Sequence, residues 1–167
     1  LMTLEEKFKR INSLNILWIG DGNNVCNSWI HSAKHFDFNL KICSPNGFMP
    51  PKEELKKIEV LGKKIDLYND PFEAVKDSDV VITDTWISMG MDDEKERLKK
   101  FKNFQVNKEL MAATGNNAYF LHCLPAHRGN EVSAEVIDGE RSLVWDQAFN
   151  RLHIQKAILL WCLNAED

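Results

Sequence analysis

The sequence predicts an α/β fold, a Rossmann-like three-layer α/β/α domain with a mainly parallel five-stranded sheet. Two observations carry this. Short apolar runs alternate with stretches of helical spacing, the order expected of βαβ units. Several of those runs are apolar at nearly every position instead of every second one, the pattern of strands covered by helices on both faces. The length agrees, because 167 residues are one domain's worth and a chain of that size buries roughly 70% of its unfolded surface.

Taken in order, the predicted strands are Leu14 to Ile19, Leu40 to Cys43, Ile65 to Tyr68, Val80 to Thr83 and Ala118 to Leu121. Helical spacing occupies Asn23 to Phe36, Pro51 to Leu61 and Pro71 to Lys76, with Leu55, Ile58 and Leu61 as one apolar stripe. Asp92 to Lys102 and Asn107 to Thr114 are helical as well, and a last helix runs from about Asp146 to Leu163. Ile154 and the run Ala157 to Leu163 leave that last helix almost no polar face, so it should be buried on all sides. One sheet layer covers one side only. The expectation is a partner surface outside this chain, in another domain or another subunit; a core helix of this domain is the alternative.

Composition narrows the function classes. Lys+Arg 21 against Asp+Glu 25 leave a formal net charge of −4, which gives no basic footprint for nucleic acid. No apolar stretch approaches the roughly 18 residues of a membrane span. Cys26, Cys43, Cys123 and Cys162 are far apart, without CxxC or zinc-finger spacing, so reduced thiols in a cytoplasm are expected and a disulfide scaffold or metal site is not. No basic-then-apolar leader opens the chain. Residue 1 is Leu, which suggests a piece of something longer.

In open parallel sheets, ligands bind beyond the carboxyl ends of the strands. Three unusual loops belong there. Gly20-Asp21-Gly22-Asn23-Asn24-Val25 follows the first strand and opens a helix; its glycines permit a tight turn, and Asn24 near the helix N-terminus suits a carboxylate or phosphate. Val25 stands where a dinucleotide fingerprint wants glycine, and Cys43-Ser44-Pro45 offers no acidic residue after the second strand. A plain strand-to-helix turn with an Asn cap remains open. The second loop is Thr83-Asp84-Thr85-Trp86-Ile87-Ser88-Met89-Gly90. Asp84 ends a buried strand, where its carboxylate suits a cationic amine or caps the next segment. Trp86, Met89 and Gly90 suggest either a flap with an apolar underside or a buried loop anchor. The third is His122-Cys123-Leu124-Pro125-Ala126-His127-Arg128-Gly129. Neighbours on extended backbone point to opposite sides, so His122 is a poor activator of Cys123 and covalent catalysis is not expected. A cis peptide before Pro125 is open.

These residues resemble the second, amino-acid-binding domain of the ornithine carbamoyltransferases. The resemblance spans essentially the whole sequence and rests on Trp18 to Val25, Asp84-Thr85-Trp86-Ile87-Ser88-Met89-Gly90, His122-Cys123-Leu124-Pro125 and Asn150-Arg151-Leu152-His153-Ile154-Gln155-Lys156-Ala157. The Ser-Met-Gly loop is what separates the ornithine enzymes from the aspartate ones. It implies transfer of a carbamoyl group from carbamoyl phosphate to the side-chain amine of L-ornithine, giving L-citrulline and phosphate, in arginine biosynthesis or catabolism including the urea cycle. No metal or organic cofactor is implied, and a cytoplasmic homotrimer or a multiple of it is.

By the same resemblance, Asn24 takes the ornithine α-carboxylate, while Asp84, Ser88 and Met89 take its α-amino group and loop closure. Cys123 and Leu124 lie where the two substrates meet, and Arg151 reaches the carbamoyl phosphate oxygens. Cys123 and Asp84 are the groups that could take or orient the amine's proton. One departure is large: the Ser-Thr-Arg-Thr-Arg loop of the family's amino-terminal, carbamoyl-phosphate-binding domain is absent, so this chain alone is expected to be inactive. A non-catalytic amino-acid-binding module is the alternative reading, and a nicotinamide oxidoreductase a distant third.

Overall fold

The computed structural model describes residues 1–63, 65–87, 94–115 and 117–163. Five strands form one sheet in the order β3-β2-β1-β4-β5, with β1 Asn15–Ile19, β2 Asn39–Cys43, β3 Asp66–Tyr68, β4 Val80–Thr83 and β5 Tyr119–His122. All pairings are parallel; Leu17 of β1 sits opposite Lys41 of β2 and Val81 of β4. The helices are α1 Met2–Phe8, α2 Asn24–His35, α3 Lys52–Glu59, α4 Pro71–Ala74, α5 Glu94–Phe101, α6 Lys108–Ala112, α7 Ala134–Ile137 and α8 Val144–Cys162.

The near-continuous apolar strands have the cause read from the sequence. Leu17, Ile19, Val81 and Phe120 enter a core on one face of the sheet, with Phe101, Leu110 and Ile137. Ile16, Trp18, Ile42, Val80 and Leu121 enter a second core on the other face, with Leu4, Ile30 and Ile58. Consecutive residues thus face opposite layers, and each fully buried Leu or Ile contributes roughly 1.5–3 kcal/mol. The chain winds outward from β1 to β3 and then returns to β4 beside β1. That reversal opens a crevice beyond the carboxyl ends of β1 and β4, the place where doubly wound sheets take ligands.

The structure refines the expected boundaries and adds two helices. β2 begins at Asn39 and β5 extends to His122, while α2 starts at Asn24 because Asn23 is its cap. α1 and α7 are short segments without a readable period; alone they would be marginal, and tertiary burial of Thr3, Leu4, Val136 and Ile137 holds them. Within this chain the last helix is not buried on every side, in keeping with the expectation that its cover lies outside the chain. α8 packs against α1 and β5 near its start, and Val144 and Asn150 are its buried residues. Farther along it runs past the edge of the domain, leaving Leu152, Ile158, Leu159 and Trp161 exposed, the last at 80%. The core-helix alternative is thereby excluded. No helix among the described residues is long and apolar enough to cross a membrane.

Candidate functional site

The turn after β1 is shaped by contact with the loop after β2. A Cβ on Gly22 would lie 2.3 Å from the Pro50 nitrogen, and the Gly22 N–H donates to the Phe48 carbonyl at 2.7 Å. Only glycine fits that approach. Asn23 follows and caps α2: its Oδ1 accepts from the N–H groups of Val25 and Cys26 at 2.9 and 3.1 Å. Its Nδ2 donates to Asp84 Oδ2 across the crevice at 3.0 Å. Asn24, the residue singled out from the sequence, occupies the first helical position with an exposed side chain. The capping alternative raised for this turn therefore belongs to Asn23.

Asp84 lies directly beyond β4, partly buried at the crevice floor. Besides Asn23, it accepts from the Thr85 N–H at 2.8 Å and from the Cys123 thiol at 3.0 Å, both through Oδ1. Burial, reinforced by the hydrogen bond and negative charge of Asp84, pushes the Cys123 thiol up to about 12, while the Arg151 charge opposes the shift. The thiol is therefore a donor at neutral pH and not a ready nucleophile.

Next to it, His122 Nδ1 accepts the Leu124 N–H at 2.9 Å, and His122 Nε2 stands 3.4 Å from Glu131 Oε1, both side chains buried. Glu131 Oε1 also accepts from the His127 N–H. The ligand atoms of Asp84, His122 and Cys123 lie within 4.8 Å of one another. They are closer than the opposite-sides argument implied, because β5 ends at His122. Asp84 Oδ1 and the Cys123 thiol are bonded to each other and His122 Nδ1 to the Leu124 N–H, while His122 Nε2 has no hydrogen-bond partner among the described residues. Leu124 has φ 55 and its bond to Pro125 is cis.

Trp86 is a buried anchor and not the underside of a flap, packed 5.6 Å from Phe101. Arg97 Nε donates to the Trp86 carbonyl at 2.7 Å, and the same guanidinium pairs with Asp21. Arg97 of α5 thereby ties the start of the loop after β4 to the turn after β1. Thr85 Oγ1 meets His127 Nδ1 at 3.1 Å beside a cleft of about 550 Å³ lined in part by Thr85, Trp86, Pro125 and Glu131. A larger cavity of about 790 Å³, lined in part by Met111, Val136 and Arg141, lies elsewhere, toward the start of β5. The smaller cleft borders the Asp84 segment through Thr85, and neither cavity is lined by Asp84 or Cys123. Ser88, Met89 and Gly90 lie outside the described residues. Arg151 is an exposed residue of α8.

The structure thus brings together Asp84, Cys123 and Leu124, with Asn24 at the rim of the same turn. Asn23, Arg97 and Glu131 belong to the same network and were missed. The S/T/D/N-before-helix rule admits Asn23 as readily as Asn24; Arg97 and Glu131 carry no local signal.

A family model described as aspartate/ornithine carbamoyltransferase, Asp/Orn binding domain, matches residues 12–162. The ornithine carbamoyltransferase of Caulobacter vibrioides is 48% identical over 165 residues, covering 99% of this chain and 53% of its own length. That of Archaeoglobus fulgidus is 47% identical over 168 residues, covering 100% of this chain and 55% of its own length. Among solved structures, ornithine carbamoyltransferase from Pyrococcus furiosus gives a TM-score of 0.88 at 43% identity, over 95% of this chain and 52% of that one. The anabolic enzyme from Campylobacter jejuni gives 0.84 at 38% identity, over 97% and 56%. The chain spans about half the length of the curated relatives it matches.

Proposed function

Because the chain belongs to the aspartate/ornithine carbamoyltransferase family, through its Asp/Orn-binding domain, we propose that it is the ornithine-binding part of a transferase. That enzyme moves a carbamoyl group from carbamoyl phosphate to the side-chain amine of L-ornithine, giving L-citrulline and phosphate. The observation that carries the reading is Asp84 at the crevice between β1 and β4, hydrogen-bonded to the Cys123 thiol. A carboxylate there suits a substrate with two amines better than one with two carboxylates.

In this reading Asn24 at the N-terminus of α2 receives the α-carboxylate, and Asp84 with Ser88 and Met89 receives the α-amino group. Cys123 and Leu124 stand where the substrates meet, and Arg151 neutralises carbamoyl phosphate oxygens. The remaining donors for that dianion come from an amino-terminal domain carrying the family's Ser-Thr-Arg-Thr-Arg loop, in a cytoplasmic homotrimer serving arginine metabolism. Neither metal nor organic cofactor takes part.

The transfer is an acyl substitution. The amine, protonated at neutral pH, gives up a proton to solvent as it binds, and its nitrogen lone pair then attacks the carbamoyl carbon. The tetrahedral intermediate collapses with cleavage of the carbon–oxygen bond to phosphate, which leaves with the electron pair and takes up the second proton of the attacking nitrogen. With burial and Asp84 pushing the Cys123 thiol up to about 12, Cys123 donates a hydrogen bond there at neutral pH, and Asp84 orients the amine. Rate gain comes from aligning amine and carbonyl and from cationic donors at the oxyanion. The test is acceptor choice in the complete gene product: citrulline from L-ornithine is expected, with no product from L-aspartate. Preference for aspartate, or binding of ornithine without turnover, would contradict it.

A further inference from the structure

We infer that Asn150, clasped by Thr3 and Glu6, is a positioning residue that sets the rotation at which α8 presents Arg151 to the carbamoyl phosphate side of the site. The inference rests on the function proposed above.

Asn150 is a polar residue buried within a helix, at 7% exposure. Its Nδ2 donates to Thr3 Oγ1 at 3.0 Å and to Glu6 Oε2 at 2.6 Å, both on α1. An unpaired carboxamide at such a place costs free energy, so the docked state is the one in which both bonds form. An apolar side chain could bury itself against α1 at several rotations of α8; the carboxamide is satisfied at one. Single buried polar residues fix register between helices in this way.

The placement gives the clasp its consequence. Asn150 is the last buried residue of α8, and Arg151 begins the run that leaves the domain surface. A guanidinium lies about 8 Å from its helix axis, so a rotation of about 20° displaces it by about 3 Å. Errors of about 1 Å in oriented groups already cost large factors in rate. The guanidinium is in the electrostatic field of the site, since its charge draws the Cys123 thiol downward.

The experiment uses the complete gene product and separates the two substrates. Asn150→Leu keeps the burial and removes the hydrogen bonds. It should melt within about 3 °C of the parent, raise the KM for carbamoyl phosphate roughly tenfold, and leave the KM for ornithine within about twofold. Asn150→Asp sets a second carboxylate against Glu6 and should show the same split. Combining it with Glu6→Gln reverses the hydrogen bond, the glutamine amide now donating, and should recover most of the loss. An unchanged KM for carbamoyl phosphate in Asn150→Leu, an equal rise in both KM values, or a double variant no better than Asn150→Asp overturns the inference while citrulline formation by the parent stands. A parent that makes no citrulline overturns the functional reading, and this inference with it.

Discussion

Asp84 gathers the Asn23 amide, the Thr85 N–H and the Cys123 thiol onto two oxygens, so its charge controls the chemistry of its neighbour. Burial is the first cause of the raised thiol and Asp84 the second. Asp84→Asn therefore removes part of the shift: the thiol comes down from about 12 toward its ordinary range, and at a fixed pH near 8 a larger fraction is thiolate. Alkylation of Cys123, followed by peptide mapping to separate it from the exposed Cys162, should be faster in the variant. In the complete protein the same change should lower kcat/KM for ornithine by on the order of two powers of ten. Slower or equal alkylation would mean that Asp84 does not control the thiol. At this scale the site was half legible. Asp84 and Cys123 stood out as polar residues directly after apolar strands. Glu131 was invisible because its link to His122 depends on the loop from Ala126 folding back, closed by the Gly129 N–H to the Val132 carbonyl.

Elements were read well where burial on both faces writes a continuous apolar run, as in β1 and β4, and badly where a segment has no room for a period, as in α1 and α7. The N-terminus of α2 makes the functional link. Asn23→Ala removes the cap of α2 and one donor to Asp84, and caps of this kind are worth about 1 kcal/mol. A fall in melting temperature of about 2–4 °C is expected for a domain this size, with Asn24→Ala nearly silent in the same assay. Equal losses would return the cap to Asn24. α8 carries the opposite lesson, because its composition correctly announced a need for cover without saying where the cover lies. Ile158, Trp161 and Leu163 are exposed, and clustered apolar surface of this kind promotes association. The isolated chain should scatter light as oligomers at micromolar concentration, and Trp161→Glu with Leu163→Glu should shift it toward monomer. A monomeric unsubstituted chain would contradict the reading of that face.

On the scale of the whole molecule, fold class followed from the order of elements, whereas strand order did not. Nothing local in β4 says that it returns to β1 and not to β3, yet that return opens the crevice where Asp84, Asn23 and Cys123 meet. The assembled site is rich in groups for an amino acid and poor in groups for a phosphate. Arg151 is the one cation the family resemblance assigns to carbamoyl phosphate, and a dianion held in line needs several converging donors. The division of labour between this domain and a phosphate-holding partner is the central claim. It is tested most directly by measuring citrulline from saturating L-ornithine and carbamoyl phosphate with the isolated 167-residue chain beside the complete gene product. The complete protein should turn over and the isolated chain should yield none above the uncatalysed background. Citrulline from the isolated chain at rates near those of the complete protein would contradict the account.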